Sequence, residues 1–358
     1  MKIDHVHFYV EDAKVWRDWF VHHLGFQAVT DRISSFHTCT EVVNSGAVCF
    51  FLSSPLLPTS PVAEFLRQYP PGVADVAFAV EDVDGAIALA HLHGATILQP
   101  IQERQVGTAF FKCGKIAAWG GLTHTLIEKS LVSGHPSLVF DKGQMTNDNT
   151  FTAIDHIVLN VAVGELERAV AWYEKILDFQ PQQAFKIKTN RSALHSQVMV
   201  SRNGSVQLPI NEPASSNSQI QEFLDVNRGP GIQHIALRTT NLVSAIAQFR
   251  ASGLSLLSVP QTYYSQLKQR PGLSLSPLEL EAIAQQEILV DWQEYTPLEG
   301  GNIAPLLLQI FTQPIFEQPT FFFEFIERRF QAKGFGEGNF RALFEAIESE
   351  QIKRGTLQ

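Results

Sequence analysis

Cysteine is scarce in this chain of 358 residues, and the three that occur, Cys39, Cys49 and Cys113, all lie in the first third. None of them forms the Cys-x-x-Cys spacing of a zinc or redox motif, and they do not make a disulfide framework. This scarcity excludes a small disulfide-stabilised scaffold. It indicates a protein of a reducing compartment, and we expect it in the cytoplasm.

Positive charge and long apolar runs are also lacking. Asp and Glu outnumber Lys and Arg by 36 to 27, which gives a formal net charge of -9. Because binding to nucleic-acid phosphates needs clustered basic residues, and no long basic run occurs, we expect no nucleic-acid partner. No uncharged apolar run of about 18 residues and no secretory signal pattern occur, so we expect no membrane association. Small-molecule partners are favoured instead.

What the sequence does contain is an internal repeat. The stretch IDHVHFYVEDAKVWRDWFVHHLGFQ from Ile3 matches IDHIVLNVAVGELERAVAWYEKILDFQ from Ile154. Alternating apolar residues at the start of each stretch predict a strand, and the aromatic residues at helical spacing that follow predict a helix. A second pair of stretches, from Ala63 and from Gln221, predicts turn, strand, helix, glycine and strand in both copies.

Each half of the chain thus holds two modules. We predict an N-terminal non-catalytic domain over residues 1–130, a polar linker over 131–150 and a C-terminal catalytic domain over 151–358. A βαβββ module exposes one face of its sheet, so two modules pair side by side into a curved sheet with the helices outside. The predicted fold class is therefore α+β, with tandem duplicated βαβββ modules that form two open barrel-like domains.

The two halves differ at positions that suit a metal ion. His5 of the first half matches His156 of the second, but His234 in GIQHIAL corresponds to Asp75 in GVADVAF. Glu324 in PTFFFEFIERRF places one carboxylate in an apolar strand, which is costly unless the carboxylate is paired or bound to a cation. We interpret His5, which lacks both counterparts, as a structural residue.

His156, His234 and Glu324 are the ligand types of a two-histidine, one-carboxylate site. Such a site leaves three positions of an octahedral Fe(II) open for a substrate and dioxygen, although Zn(II) and Ni(II) use similar ligands. Other interpretations stay open from these residues alone. Each histidine can be an ordinary buried residue, and Glu324 can pair with Arg328 or Arg329.

The C-terminal half carries a series of motifs in a recognisable order. They are IDHIVLNV, RSALHSQVMVS, LPINEP, SQIQEFL, GPGIQHIAL, TYY, ILVD, LLLQIFTQP, PTFFFEFIER and GFGEGNFRALFEAIESEQIKRG. Together they resemble the 4-hydroxyphenylpyruvate dioxygenases of the vicinal-oxygen-chelate superfamily, from about residue 151 to the C-terminus. The N-terminal half follows the architecture of this family with fewer recognisable motifs.

The resemblance implies an activity, a cofactor and a set of site residues. The implied enzyme uses Fe(II) and O2 to convert 4-hydroxyphenylpyruvate, an aromatic 2-oxo acid, to homogentisate and CO2 by decarboxylation, ring hydroxylation and side-chain migration. The implied iron ligands are His156, His234 and Glu324. The implied catalytic polar residues are Ser196, Asn211, Gln219, Gln233 and Gln309. The implied substrate-binding residues are Pro209, Phe311, Phe335, Asn339 and Phe340. A homo-oligomer is also implied.

Two alternative functions remain. Hydroxymandelate synthase is similar in fold, metal and substrate but oxidises the benzylic carbon, and Pro209, Asn211, Phe311 and Phe340 favour the ring hydroxylase over it. The second alternative is a non-catalytic protein of the same fold that binds aromatic ligands. The sequence leaves open whether homogentisate serves tyrosine breakdown or the supply of quinones and tocopherols.

Two segments near the C-terminus carry further expectations. Three glycines around Phe335 and Phe340 predict a hinge, and an amphipathic helix follows it. We expect this helix to close over the substrate-binding pocket as a lid. A helix that is merely docked on the barrel is the alternative. Residues 292–305, where relatives have a short turn, predict a longer surface loop.

Overall fold

The structure, a computed structural model, describes residues 1–29, 35–106, 109–130, 150–189, 192–273, 275–292 and 304–355. The predicted linker over residues 131–150 lies outside the described residues except for Thr150. The predicted loop over 292–305 also lies outside them, apart from its ends. The domain boundaries that depend on the linker therefore stay a prediction.

The helices and strands of the first half alternate as the repeat predicts. In chain order they are β1 (Lys2–Tyr9), α1 (Ala13–Leu24), β2 (Gln27–Val29), β3 (Thr38–Ser45), β4 (Val48–Pro55), α2 (Pro61–Gln68), β5 (Gly72–Ala79), α3 (Val83–Leu92), β6 (Ile97–Val106), β7 (Ala109–Ala117) and β8 (Thr123–Ser130).

The second half repeats this order and adds helices. Its elements are β9 (Ala153–Asn160), α4 (Leu166–Leu177), β10 (Phe179–Lys188), β11 (Ala193–Ser201), β12 (Gln207–Pro213), α5 (Gln219–Asn227), β13 (Gly231–Arg238), α6 (Leu242–Ala251), α7 (Gln261–Leu267), α8 (Pro277–Gln285), β14 (Leu289–Trp292), β15 (Leu306–Phe311), β16 (Phe322–Arg329) and α9 (Phe340–Arg354). A short 3-10 turn, Glu337–Asn339, precedes α9.

Two eight-stranded sheets of matching topology result. Their strand orders are β2-β3-β4-β1-β5-β8-β7-β6 and β10-β11-β12-β9-β13-β16-β15-β14. Within a module the first and last strands pair in parallel, and the two modules of a half join through the antiparallel pairs β1–β5 and β9–β13. The predicted fold class, with its duplicated βαβββ modules, is confirmed.

Local sequence explains where the repeated helices begin and end. The carboxylate of Asp12 accepts hydrogen bonds from the first turn of α1, and Gly25 ends this helix in the left-handed conformation at φ 68°. Such capping satisfies backbone groups that have no partner within the helix. The equivalent helix α4 ends at Asp178 with φ 58°, a conformation that aspartate tolerates better than most side chains. No helix in the described part of the chain is long and apolar enough to cross a membrane.

Strand β16 presents different chemistry on its two faces. Phe323 and Phe325 are fully buried and belong to one apolar core that includes residues of both halves. The ring of Phe323 lies 5.8 Å from those of Phe20 and Phe50, both in the first half. Because successive side chains alternate across a strand, Glu324 points to the opposite face. The outer face of the carboxylate-bearing strand therefore packs against the first half.

A buried hydrogen bond also joins the two halves. His124 of β8 donates from Nδ1 to the Val76 carbonyl at 3.0 Å, so its Nε2 accepts from the Tyr173 hydroxyl of α4 at 3.1 Å. Both side chains are almost fully buried. Burial lowers the pKa of His124 to about 4, although the Val76 carbonyl and Asp75 act in the opposite direction. The imidazole is therefore neutral in the folded protein near pH 7.

This depressed pKa predicts an acid-labile contact between the halves. Above the unfolded-state pKa of about 6.5 the imidazole is neutral in both states, so His124 does not change the free energy of unfolding. Between pH 6.5 and about 4 the unfolded chain binds a proton at His124 and the folded protein does not. Stability is therefore lost as the pH falls, by roughly 2–4 kcal/mol at full effect. Denaturant unfolding of His124→Gln at several pH values should show a shallower pH dependence than the wild type. The exposed His91→Gln is the matched control, and an unchanged slope in His124→Gln would contradict the assignment.

Candidate metal centre

Three neighbouring strands, β9, β13 and β16, bring the two histidines and the carboxylate together. Ala236 of β13 lies opposite His156 of β9 on one side and Glu324 of β16 on the other. His234 is two residues before Ala236 and therefore on the same face of β13. Because Ala236 is small, the three longer side chains converge over it.

The distances within this group suit a shared ion. His156 Nε2 lies 3.1 Å from Glu324 Oε2, and His234 Nε2 lies 3.7 Å from the same oxygen. All three ligand atoms are within 4.8 Å of one another, and all three residues are buried. Two imidazole nitrogens and one carboxylate oxygen are a donor set that non-haem Fe(II) sites use. The convergence that the sequence could not show is thus present.

A β-bulge next to His156 explains how its neighbour in sequence reaches it. The pairing of β9 with β13 goes from Ala236 opposite His156 directly to Leu237 opposite Ile154, so Asp155 is the extra residue. A bulge turns two successive side chains towards the same side of the sheet. The Asp155 carboxylate therefore accepts a hydrogen bond from His156 Nδ1 at 3.1 Å.

Asp155 is in turn fixed by two arginines. Arg328 donates to both of its oxygens, at 2.7 and 2.8 Å, and Arg238 donates twice to one of them. Burial alone would raise the pKa of Asp155, but hydrogen bonds from Arg328 and His156 outweigh it and hold the pKa well below its usual range. For His156, burial favours a lower pKa, but Glu324 and Asp155 prevail and raise the pKa to about 9.

His234 lies in a more apolar environment. Its ring stacks on Phe322 with centroids 4.8 Å apart, and its Nδ1 lies 3.3 Å from the Gln233 side-chain oxygen. Burial and, to a lesser extent, the charge of His156 lower the pKa of His234 well below its usual range. His234 is thus a neutral imidazole, which is the form that binds metal ions.

Glu324 is held by an amide rather than by an arginine. Gln309 Nε2 donates to its Oε1 at 2.8 Å, which leaves Oε2 for the two histidines. The alternative in which Glu324 pairs with Arg328 or Arg329 is wrong. Arg328 binds Asp155, and Arg329 binds acidic side chains away from the site. No basic residue other than the two histidines forms an ion pair with Glu324 among the described residues.

The three residues lie in the wall of a cavity, and the predicted substrate contacts lie in the same wall. The predicted residues that line it, apart from the three candidate ligands, are Ser196, Pro209, Asn211, Gln219, Gln233, Gln309, Phe311, Phe335, Asn339 and Phe340. Asn211 lies within β12, and Gln219 is buried at the start of α5.

Several lining residues were missed by the sequence interpretation. They are Val158, Phe185, Ile187, Leu194, Val198, Ile220, Phe322 and Gly336. The alternation of side chains along a strand was a usable signal for some of them. Val158 lies two residues after His156 on the same face of β9, and Leu194 and Val198 lie two residues before and after Ser196 on the same face of β11. On β10 the alternation of Phe185 and Ile187 across Lys186 was a signal of the same kind.

Helix α9 closes one side of the cavity with the apolar face that the sequence predicts. Its docked position is held at its middle and at its C-terminal end, by hydrogen bonds at 2.6 Å from Thr189 and Ser192 to Glu348 and by an ion pair at 3.0 Å between Arg354 and Glu222. The structure shows the closed position. Movement of α9 as a lid stays a prediction.

The first half has different residues at the corresponding positions. His5 contacts Asp4 at a matching bulge, Asp75 forms an ion pair with Lys115 at 3.1 Å, and Thr125 stands where the second half has Glu324. The described residues of this half thus have no two-histidine, one-carboxylate group. Instead, the Lys115 ammonium supplies positive charge near the buried Asp75.

Comparisons with known proteins agree with this geometry. The family model described as "Glyoxalase/Bleomycin resistance protein/Dioxygenase superfamily" matches residues 2–115 and 153–270, one match in each half. The protein named 4-hydroxyphenylpyruvate dioxygenase from Coccidioides posadasii (strain C735) is 38% identical over 99% of this chain and 94% of its own length. The protein of the same name from Caenorhabditis elegans is 37% identical, over 99% of this chain and 93% of its own.

The chain belongs to the 4-hydroxyphenylpyruvate dioxygenase family. The predicted family resemblance and the prediction of a dioxygenase enzyme are confirmed. A solved structure agrees over almost the whole chain: a mutant of 4-hydroxymandelate synthase from Streptomyces coelicolor has a TM-score of 0.83 and 26% sequence identity, and the match covers 98% of each chain.

The contact of Asp155 with His156 generates a test that needs no metal. Asp155→Asn removes one of the two carboxylates that raise the pKa of His156, so this pKa should fall from about 9 in the metal-free protein. Histidine-labelled NMR over a pH range measures it. Asp4→Asn, the same change at the equivalent bulge of the first half, is the control and should leave His156 unchanged. Equal pKa values in both variants would show that Asp155 does not control this imidazole.

Proposed function

We propose that this chain is a non-haem Fe(II) dioxygenase that converts 4-hydroxyphenylpyruvate and O2 to homogentisate and CO2. The observation that carries the proposal is the buried group of His156, His234 and Glu324 in the wall of an aromatic cavity. The relatives that bear the name of this activity are similar over almost their whole length. We place the activity in tyrosine breakdown or in quinone and tocopherol supply, in a cytoplasmic homo-oligomer.

The residues present fit the implied iron. His156 Nε2, His234 Nε2 and Glu324 Oε2 would hold it, because these atoms face one another and the remaining atoms of the three groups are engaged elsewhere. When bound, the iron supplies the Lewis acidity and the redox chemistry that oxidation by O2 requires. A 2-oxo acid offers a carboxylate and a keto oxygen, which suits a site with three open positions.

The walls of the cavity exclude water from the reacting groups. Phe185, Phe311, Phe322, Phe335 and Phe340 line it, and Phe185 lies 5.1 Å from Phe340 of α9, ring to ring. A dry aromatic wall accommodates the ring of the substrate and protects the protein from a strong oxidant. Closure by α9 completes this wall.

Polar residues away from the histidines would orient the phenol end of the substrate. Ser196 and Asn211 lie opposite each other on β11 and β12, and both line the cavity. Asn211 donates from Nδ2 to Asn160 at 3.4 Å, which leaves its oxygen free to accept a hydrogen bond from a ring hydroxyl. Gln219 adds an amide that binds a hydroxyl without titrating, and Gln233, whose oxygen contacts His234, adds a second amide close to the proposed iron site.

The activity of 4-hydroxymandelate synthase is the second candidate because a solved mutant of that enzyme has the same fold over 98% of the chain. Both reactions begin from the same 2-oxo acid but differ in the carbon that is oxidised. Product analysis after incubation with 4-hydroxyphenylpyruvate and O2 therefore distinguishes them. We expect homogentisate and CO2. Formation of 4-hydroxymandelate would overturn the proposed ring hydroxylation, and absence of O2 uptake by the iron-loaded protein would favour a binding protein.

The repeat provides a matched pair of variants for the iron site. His156→Ala removes a proposed ligand, and Fe(II) affinity should fall by more than about 100-fold, together with O2 uptake, because loss of mere supporting contacts already costs 10–100-fold. Anaerobic Fe(II) titration against a chelator measures the affinity. His5→Ala changes the equivalent histidine of the first half and should leave both quantities near the wild-type level. Retention of wild-type affinity in His156→Ala would contradict its role as a ligand.

A further inference from the structure

A chain of hydrogen bonds leads from Glu324 to a tyrosine on α7. Gln309 donates to Glu324 at 2.8 Å, and Asn339 donates from Nδ2 to the Gln309 oxygen at 2.9 Å. The Tyr263 hydroxyl donates to the Asn339 oxygen at 2.8 Å. The backbone of Val290 holds this hydroxyl, since its N–H donates to the tyrosine oxygen at 2.8 Å.

The carboxylate at one end sets the direction of the two amide bonds in this chain, whereas the Tyr263 proton has two acceptors, the Asn339 oxygen and the Val290 carbonyl at 3.0 Å. A carboxylate only accepts, so Gln309 must turn its NH2 group to Glu324 and its oxygen to Asn339. Asn339 then has only its oxygen to offer to the proton of Tyr263. Each of the two amides is therefore held in a single orientation, and the middle of the chain is buried.

The same chain crosses the hinge at the start of α9. Asn339 is the last residue before this helix, and Gln309 also donates to the Phe335 carbonyl at 3.3 Å. Gly336 packs so closely on the Gln309 amide that a Cβ there would lie 1.8 Å from its oxygen. The position of the hinge and the orientation of Gln309 are thus fixed together.

We propose that Tyr263 is a positioning residue that couples the closed position of α9 to the orientation of Glu324, through Asn339 and Gln309. Opening of α9 would remove Asn339 from Gln309 and free the amide that aligns the carboxylate. Because such a coupling is reciprocal, iron binding and closure of α9 stabilise each other. The inference rests on the proposed function, in which Glu324 is an iron ligand.

The adjacent tyrosine on α7 provides the matched control. Tyr264 is buried and Tyr263 is half-buried, and the Tyr264 hydroxyl donates to the Ile288 carbonyl at 3.1 Å and does not contact the segment before α9. Tyr263→Phe and Tyr264→Phe each remove one hydrogen-bonded hydroxyl from the same helix and keep the ring. A purely structural role of the hydroxyl would therefore affect both variants alike.

The test measures Fe(II) affinity by anaerobic chelator competition, and hydrogen exchange of residues 335–354 by mass spectrometry with and without Fe(II). We expect Tyr263→Phe to bind Fe(II) about 10-fold more weakly, in line with other residues that orient metal ligands. Fe(II) should slow exchange in this segment in the wild type and in Tyr264→Phe, and do so much less in Tyr263→Phe.

A double-mutant cycle with Asn339→Ala gives a second measurement. If the two residues act through one chain, the loss of Fe(II) affinity in the double variant is smaller than the two single losses combined. Two outcomes would overturn the coupling and leave the proposed iron site intact. They are additive losses of Fe(II) affinity in the double variant, or equal Fe(II) affinity and equal hydrogen exchange in Tyr263→Phe and Tyr264→Phe. Failure of the wild type to bind Fe(II) would overturn the proposed function, and the coupling with it.

Discussion

The burial of one carboxylate in an aromatic strand is the constraint on which the site depends. Glu324 is 2% exposed, with phenylalanines before and after it on β16. An isolated charge in such a place is strongly unfavourable, so the surrounding residues must compensate it. His156 and Gln309 do so in this structure by direct contact with the two carboxylate oxygens. The same compensation holds His156, His234 and Glu324 close enough together to bind a metal ion in the proposed function.

The duplicated fold meets this constraint in two ways. In the first half the buried carboxylate is Asp75 on β5, and β7, two strands away in the sheet, supplies a lysine ammonium at 3.1 Å. In the second half Phe311 stands at the position corresponding to Lys115, and Glu324 contacts His156 instead of a lysine. The two halves therefore share a scaffold and a buried carboxylate, and differ in the group that balances its charge. In the proposed function a metal ion balances the charge of Glu324 and leaves positions open to a substrate.

The repeat made the fold predictable, because matched strand and helix patterns define the modules without knowledge of long-range contacts. Comparison of the halves also singled out His156 and His234, and the cost of a carboxylate in an apolar strand singled out Glu324. The contacts that orient these residues were not predictable in the same way. The bulge at Asp155 depends on the register of β9 against β13, and the link from Gln309 to Tyr263 joins segments far apart in sequence. Such partners follow from tertiary packing rather than from local pattern.

The two faces of β16 have a consequence for the evolution of the chain. Phe323 and Phe325 are covered by residues that include Phe20 and Phe50 of the half without the site. If that half were lost, this aromatic surface would be exposed and prone to aggregation. The half that holds His156, His234 and Glu324 is therefore not an independent unit that selection can separate from its partner. The first half, which lacks this group of residues, covers the back of the strand that holds Glu324.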